Sequence, residues 1–428
     1  MNIGIIIGRF GDIDGVSLET QKWIDVLRKL GHKAFVLTGS YVKNQANQNI
    51  DVTKLPSMSF FSPECEWEQK RAFFYPAEDP EPLLEHLERT SKEIAMKAFE
   101  WIMNNDLKMI ISENASALPC HLSMGMAVKN LLEHTCIPFI AHDHDFAWER
   151  GERYQTPIKE VEEIRDDYFS IQHPNVWHVV INSYAQKSLK EKFNMDSTVI
   201  PNVMDFNEPY GQLDNYNSDM PKSFGMRKED IKLYQVTRIV SRKGIETAIE
   251  LVDRLDDNRV KLVITGSKAD DDRLGYYHEL VDMLKEKKLT RRVFFGERRI
   301  LHYRGKTNNN RKIYSLSDAY ADATACTYFS RYEGFGNAFV EAVLAKKPIF
   351  VNNYEPVFWP DIGSKGFKVV MTENNCLTDD HIKEVQEIIY NKSKAQEIAE
   401  HNYKLGKKYF SYKVLETLLG DLISSIIK

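Results

Sequence analysis

The stretch Glu333-Gly-Phe-Gly-Asn-Ala-Phe-Val-Glu341 holds two carboxylates eight residues apart around a glycine-bearing junction. Gly334 and Gly336 let a ligand approach the backbone closely. Asn337 opens a helix in this reading, and amides at a helix N-terminus favour a phosphate. Glu341 then falls about one turn inside the helix, placed to accept from sugar hydroxyls, with Glu333 at the loop tip. Two surface glutamates beside a turn are the plain alternative, and the glycine-to-helix context argues against it. Upstream, Arg238 and Lys243 stand at the end of the run KLYQVT and the start of a helical segment, TRIVSRKGIETAIELV. Two cations there suit the neutralisation of a departing diphosphate. Solvated surface charge is the competing reading.

Three further features carry less. Gly8-Arg-Phe-Gly11-Asp-Ile-Asp-Gly15 follows an apolar run and precedes a helix, but its spacing is not G-x-G-x-x-G. The next strand ends Thr38-Gly39-Ser40 with no acid to meet a ribose, which counts against an NAD-dependent dehydrogenase. In His142-Asp-His144-Asp two imidazoles alternate with carboxylates. A hydrogen-bonded histidine at a strand end is the commoner reading than a metal, and no third distal ligand is identifiable. The segment 285–312 is rich in Lys and Arg around Asn308-Asn309-Asn310. It reads as a solvated loop, with an anion or partner contact as the alternative.

These residues need strands and helices to hold them. Ile3–Ile7 is a short continuous apolar run, as in a strand buried on both faces. Ser17 is placed to cap a helix that Gly31 ends, and Ala34–Thr38 follows as a strand. Met109–Ser112, Pro138–Ala141 and Trp177–Ile181 repeat the pattern, with helical stretches between. Around 207–230 the texture turns to Asn, Asp, Gly, Pro and Ser, which suits a linker. A second strand–helix series follows, through KLYQVT, VKLVITG, RVFFG, Ala323–Cys326 and PIFVN. The rhythm predicts an α/β protein of two Rossmann-like parallel-sheet domains facing across a cleft.

Composition sets outer bounds. The 428 residues carry a net charge of −5, so nothing attracts the whole chain to nucleic acid or anionic lipid. Five widely spaced cysteines with no C-x-x-C argue against a disulfide framework or zinc knuckle and fit a reducing cytoplasm. MNIGIIIGRF lacks a basic leader and reads as a first strand, and no run is long enough to span a bilayer.

Taken together the motifs resemble the retaining, GT-B-fold glycosyltransferases of family 4, through nearly the whole chain. Glu333–Glu341 is similar to that family's E-x7-E element. Val199-Ile-Pro-Asn-Val-Met-Asp205 resembles its interdomain I-P-N-G-V-D segment, with Val203 where Gly is usual. Pro138–Phe146 resembles its histidine turn, with His144 the better match and His142 an alternative register. Tyr409-Phe-Ser-Tyr412 resembles the start of the final helix that crosses back to the first domain. Departures are the single Gly15 preceded by Asp14 and the long basic insertion at about 298–312.

The resemblance implies an acceptor-binding domain at 1–205, a nucleotide-sugar domain at 206–408 and a returning helix at 409–428. It implies transfer of a hexosyl group from a UDP-, GDP- or ADP-hexose to a hydroxyl of a small soluble or glycan acceptor, with retained anomeric configuration. His144, Glu333, Arg238 and Lys243 would be catalytic. Gly15, Gly266, Gly334, Phe335, Gly336, Asn337 and Glu341 would bind the donor. Asp14, Arg150 and Arg153 would meet the acceptor. Apart from the resemblance, the cations Arg9, Lys70, Arg71, Arg150 and Arg153 suit an anionic acceptor, with scattered surface charge as the competing reading. No cofactor and no metal are expected, since cations do the metal's work. No nucleic acid is expected as a partner, and peripheral membrane contact is not favoured. A non-catalytic nucleotide-sugar-binding protein and a GT-B epimerase are the alternatives.

Overall fold

The structure, a computed structural model, describes residues 1–11, 14–44, 46–266, 275–296 and 298–427. Two residues of the glycine loop 8–15, Asp12 and Ile13, lie outside that description. The chain divides into two compact units, Met1–Asn202 with Tyr412–Lys428, and Val203–Ser411.

The first unit is built on a seven-stranded sheet. Its strands are β1 (Asn2–Phe10), β2 (Lys33–Tyr41), β3 (Asp51–Lys54), β4 (Met109–Glu113), β5 (Phe139–Asp143), β6 (Val176–Val180) and β7 (Ser197–Val199). They run in the order β3-β2-β1-β4-β5-β6-β7, every pair parallel. The unbroken apolar runs of β1 and β4 are buried on both faces because helices cover both sides. One side packs Ile6, Leu37 and Ile110 against Ile94, Trp101 and Leu131. The last helix, Tyr412–Ile427, packs on the helix Gly15–Lys29, where Lys29 lies 5.1 Å over the Tyr412 ring.

The second unit repeats the plan. Strands β8 (Ile231–Gln235), β9 (Val260–Ile264) and β10 (Val293–Phe295) come first. A small three-stranded sheet follows, made of β11 (Ile300–Leu301), β12 (Gly305–Lys306) and β13 (Lys312–Ser315). Then β14 (Ala325–Tyr328), β15 (Ile349–Asn352) and β16 (Val370–Thr372) complete a parallel sheet of order β10-β9-β8-β14-β15-β16. Helix Ile245–Leu255 buries Ile245, Ala248, Ile249, Val252 and Leu255, the inward stripe of a 3.6-residue period, against this sheet. In both sheets the strand order reverses beside the first strand of the unit, between β1 and β4 and between β8 and β14. Ligands of open α/β sheets gather at the carboxyl ends there.

Three expectations need correction. The cap of the first helix is Asp14, whose Oδ1 accepts from Val16 N and Ser17 N at 3.1 Å each. Ser17 lies inside the helix and its Oγ accepts from Gly11 N at 2.8 Å, tying the glycine loop down. The basic segment is not simply a solvated loop. Arg304 pairs with Asp214 (2.7 Å) and Asp318 (Nε–Oδ2 3.0 Å), Lys312 with Asp219 (2.9 Å), and Arg299 donates to the Lys312 carbonyl (2.8 Å). Its cations thus staple the small sheet to the stretch 214–223, which sequence texture marks as a linker.

Gly39 is required where β2 ends. A Cβ there would stand 2.1 Å from Ser59 N and 2.3 Å from Met58 C, both backbone atoms of the turn that crosses the strand end. Gly39→Ala is therefore expected to cost about 1–3 kcal/mol through forced overpacking. Urea unfolding checks it, and a wild-type midpoint in the variant would show that the turn is free to move.

Candidate active site

In the second unit two loops meet at the carboxyl ends of β8 and β14. The turn Ser241–Lys243 follows β8, and the loop 329–336 follows β14. They are zipped by Arg331 N donating to Arg242 O at 2.8 Å. Gly244 has φ +58, and a Cβ there would stand 2.0 Å from Phe329 O, so only glycine allows the close approach. Gln235 at the end of β8 donates to Lys243 O (2.8 Å) and accepts from Thr327 Oγ1 of β14 (2.9 Å). This fixes the Lys243 backbone relative to the sheet.

The result is a compact charge cluster. Lys243 Nζ bonds Glu333 Oε1, and Arg242 Nη1 lies 3.2 Å from Glu333 Oε2 and 3.0 Å from Tyr332 O. Burial alone would raise the Glu333 carboxyl, but the Lys243 and Arg242 charges outweigh it and hold it at about 2. Burial lowers the Lys243 ammonium, with Arg242 and Arg238 adding to that, while Glu333 opposes it. Arg238 is itself exposed, on the stretch after β8. Gly266, after β9, passes so near that a Cβ would stand 2.5 Å from Arg238 Cα.

The glycine junction is pinned from below. Gly336 has φ +136, and a Cβ there would meet Tyr354 Oη at 2.2 Å. That hydroxyl donates to Phe335 O at 2.9 Å, and the buried Phe335 ring packs edge-on to Phe410 at 5.5 Å. Helix Asn337–Leu344 starts immediately after. Glu341 is half-buried within it, its Oε2 2.9 Å from the buried Tyr320 hydroxyl.

In the first unit β5 alternates its side chains as a strand must. His142 and the following His144 turn to Glu113 at the end of β4, with Nδ1–Oε2 2.9 Å and Nε2–Oε2 3.3 Å. Asp143 turns the other way to His178 at 2.9 Å. His142 is wholly buried and stacks on Trp23 at 4.0 Å, whereas His144 is 9% exposed, so His144 is the reachable imidazole. Burial would raise Glu113, but the two imidazoles bring it to about 2. Glu113 is the third group that sequence spacing does not reveal. Among the described residues its carboxylate and the two imidazoles form the cluster able to hold a metal ion, all within 4.8 Å of one another.

The remaining expected residues are dispersed. Asp14, next to Gly15, caps the first helix and pairs with Arg9 at 3.0 Å. Arg150 is bound to Asp145, which also accepts from Asn114 Nδ2 at 2.9 Å. Arg153 donates to Gln69 Oε1 at 2.8 Å. Arg242 was missed, although it adjoins Lys243. So was Asn375, whose buried amide atoms have no hydrogen-bond partner and whose Nδ2 stands 2.5 Å from where a Gly244 Cβ would lie. No helix among the described residues is long and apolar enough to cross a membrane.

Two parallel-sheet α/β units of this kind, the second with a cationic turn facing a glycine–helix junction, share the GT-B fold. The chain belongs to the glycosyl transferases group 1 family, whose model matches residues 217–405. It is 32% identical to the mannosylglucosylglycerate synthase of Thermotoga maritima, over 98% of this chain and 99% of that one. The mannosylglucosylglycerate synthase of Petrotoga mobilis is 31% identical over 86% of each. Among solved structures, Anabaena Alr3699/HepE in complex with UDP-glucose superposes with TM-score 0.68 at 15% identity, covering 99% of this chain and 100% of its own. Sucrose-phosphate synthase from Thermosynechococcus elongatus superposes with TM-score 0.67 at 13% identity, covering 100% and 99%.

Glu333 has a folded pKa of about 2 against an ordinary 4.5, so the stability it contributes is present above pH 4.5 and is lost as pH falls through about 2. Glu333→Gln leaves Lys243 buried and unpaired, and is expected to cost about 3–5 kcal/mol at neutral pH. The gap between wild type and variant narrows between pH 4.5 and 2 in thermal unfolding. A gap that does not change with pH would refute the pairing.

Proposed function

We propose that this chain is a retaining hexosyltransferase that moves a mannosyl group from a nucleotide-diphosphate mannose to a hydroxyl of glucosylglycerate, forming mannosylglucosylglycerate. The observation that carries it is the near end-to-end similarity to two synthases named for that product, 32% and 31% identical. The charge cluster supports the chemistry. Arg238, Arg242 and Lys243 are the cations that stabilise the nucleotide diphosphate as the bond from the sugar C1 to its phosphate oxygen breaks. The acceptor oxygen bonds to C1 on the same face, and its proton passes to the departing phosphate oxygen. Glu333 and the amides of Gly334–Asn337 take the transferred sugar, Glu341 the ribose hydroxyls, and Phe335 and Gly266 hold the backbone that presents them. His144 is the imidazole that the first unit offers to the sugar substrates. In this reading residues 206–408 bind the donor and 1–205 the acceptor.

Cations on the chain replace a divalent ion at the leaving group, so turnover is expected to survive EDTA. The cluster Glu113–His142–His144 then serves to orient His144. Five free thiols support a reducing cytoplasm as the compartment.

The test is product formation by mass spectrometry from glucosylglycerate and a panel of GDP-, UDP- and ADP-hexoses. A mannose donor is expected to give mannosylglucosylglycerate, and silence with every donor sinks the assignment. Lys243→Ala is expected to lower kcat about 100- to 1,000-fold, as the loss of a positioned transition-state donor does. Near-normal turnover in Lys243→Ala would remove the cluster from the chemistry.

A further inference from the structure

We infer that the first unit carries an anion-binding groove in which Arg153 receives the carboxylate of the acceptor's glycerate; this rests on the acceptor class proposed above. A cavity of about 350 Å³ is lined by Arg9, Phe61, Glu66, Lys70, Phe74 and Arg153 among others, its one acid outnumbered by three cations. Its size lies within the range of small-molecule sites, about 300–1,000 Å³. It sits at the carboxyl end of β1, where Gly8 lets the Phe60 ring come within 2.3 Å of where a Cβ would lie.

Charge in the groove is unevenly answered. Arg9 pairs with Asp14 at 3.0 Å and Lys70 with Glu66 at 3.8 Å. Arg153 has no carboxylate partner among the described residues. Its Nη2 bonds the neutral Gln69 amide oxygen at 2.8 Å, and its Nη1 is buried with no hydrogen-bond partner. The guanidinium lies 4.1 Å from the Phe74 ring and 4.6 Å from the Tyr154 ring, which fixes its plane. A buried, oriented donor left unmatched calls for an acceptor from outside the fold. A carboxylate matches the planar guanidinium.

The walls suit the rest of such a ligand. Phe61 is 65% exposed and Phe74 53% exposed, two rings offered to solvent that can cover the C–H face of a pyranose. Phe74 and Lys70 are carried by a π-helical turn, Lys70–Phe74, that continues the helix Pro63–Gln69. Such wide turns recur at functional sites because they redirect side chains that an α-helix would point elsewhere.

The test uses two acceptors that differ in one group, a carboxylate in glucosylglycerate and a hydroxymethyl in glucosylglycerol, with the wild type, Arg153→Gln and Arg153→Lys. The wild type is expected to prefer glucosylglycerate. Arg153→Gln is expected to reduce that preference about 10- to 100-fold, mainly through a raised KM for the carboxylated acceptor. Arg153→Lys restores part of it. An Arg153→Gln enzyme that keeps the wild-type preference overturns the groove while leaving the proposed reaction standing. A wild type that turns over neither acceptor overturns the reaction. Equilibrium dialysis of glucosylglycerate then decides the groove alone: weaker binding in Arg153→Gln supports it, and equal binding ends it.

Discussion

A carboxylate out of contact with water must be given compensating charge, and in the unit Val203–Ser411 that requirement organises the loops at the carboxyl ends of the two central strands, β8 and β14. Glu333 is 8% exposed and is answered by Lys243 and Arg242 from a single three-residue turn. To bring that turn within reach, Gly244 must lie against the Phe329 carbonyl, Gln235 must hold the Lys243 backbone, and Arg331 must bond the turn from the opposite loop. Removing Glu333 would leave Lys243 buried and without an acid, which costs more than never having buried the pair. The glycines, the strand-end glutamine and the zipped loops are thus consequences of one ion cluster at the switch point between β8 and β14.

The first unit meets the same requirement with imidazoles. Glu113 ends β4 and is shared by His142 and His144, while Glu68 is enclosed by His121 (3.1 Å), His86 (3.3 Å) and the Ser123 hydroxyl. Burial would raise Glu68 too, yet its partners bring it to about 2. These pairs set the directions of neighbouring side chains. Asp143, turned to the other face of β5, forms a separate pair with His178 of β6. A reachable His144 beside an inaccessible His142 follows from strand alternation, Trp23 and a single acid.

Legibility in the sequence tracked the range over which each signal acts. Five strands of each large sheet were legible because an unbroken apolar run states its own burial, as Ile3–Ile7 does within β1, whereas the three-residue β7 and β16 were not. The polar edge strand β3, sequence DVTK, and the two-residue strands β11 and β12 carry no such run. The basic segment was misread because Arg304 and Lys312 are matched by Asp214, Asp219 and Asp318, and only Asp318 is close in sequence. The E-x7-E element was legible as local chemistry. Arg242 and Glu113 were not, since their importance lies in partners 91 and 29 residues away. Asp14 displaced Ser17 as cap because a side chain's eligibility to cap does not decide where the helix begins.

The ion cluster also constrains how a donor can bind in the proposed reaction. A diphosphate that draws Lys243 and Arg242 toward itself weakens the two contacts that keep Glu333 charged at low cost. The carboxylate stays buried, so it must take replacement donors, and hexose hydroxyls are the ones such a ligand brings. Binding of the leaving group and binding of the transferred sugar then become parts of one exchange of partners around Glu333. A nucleotide diphosphate without its hexose makes only half of that exchange and leaves the carboxylate short of donors. In the proposed reaction, discrimination between donor and released nucleotide would thereby follow from the desolvation of one acid.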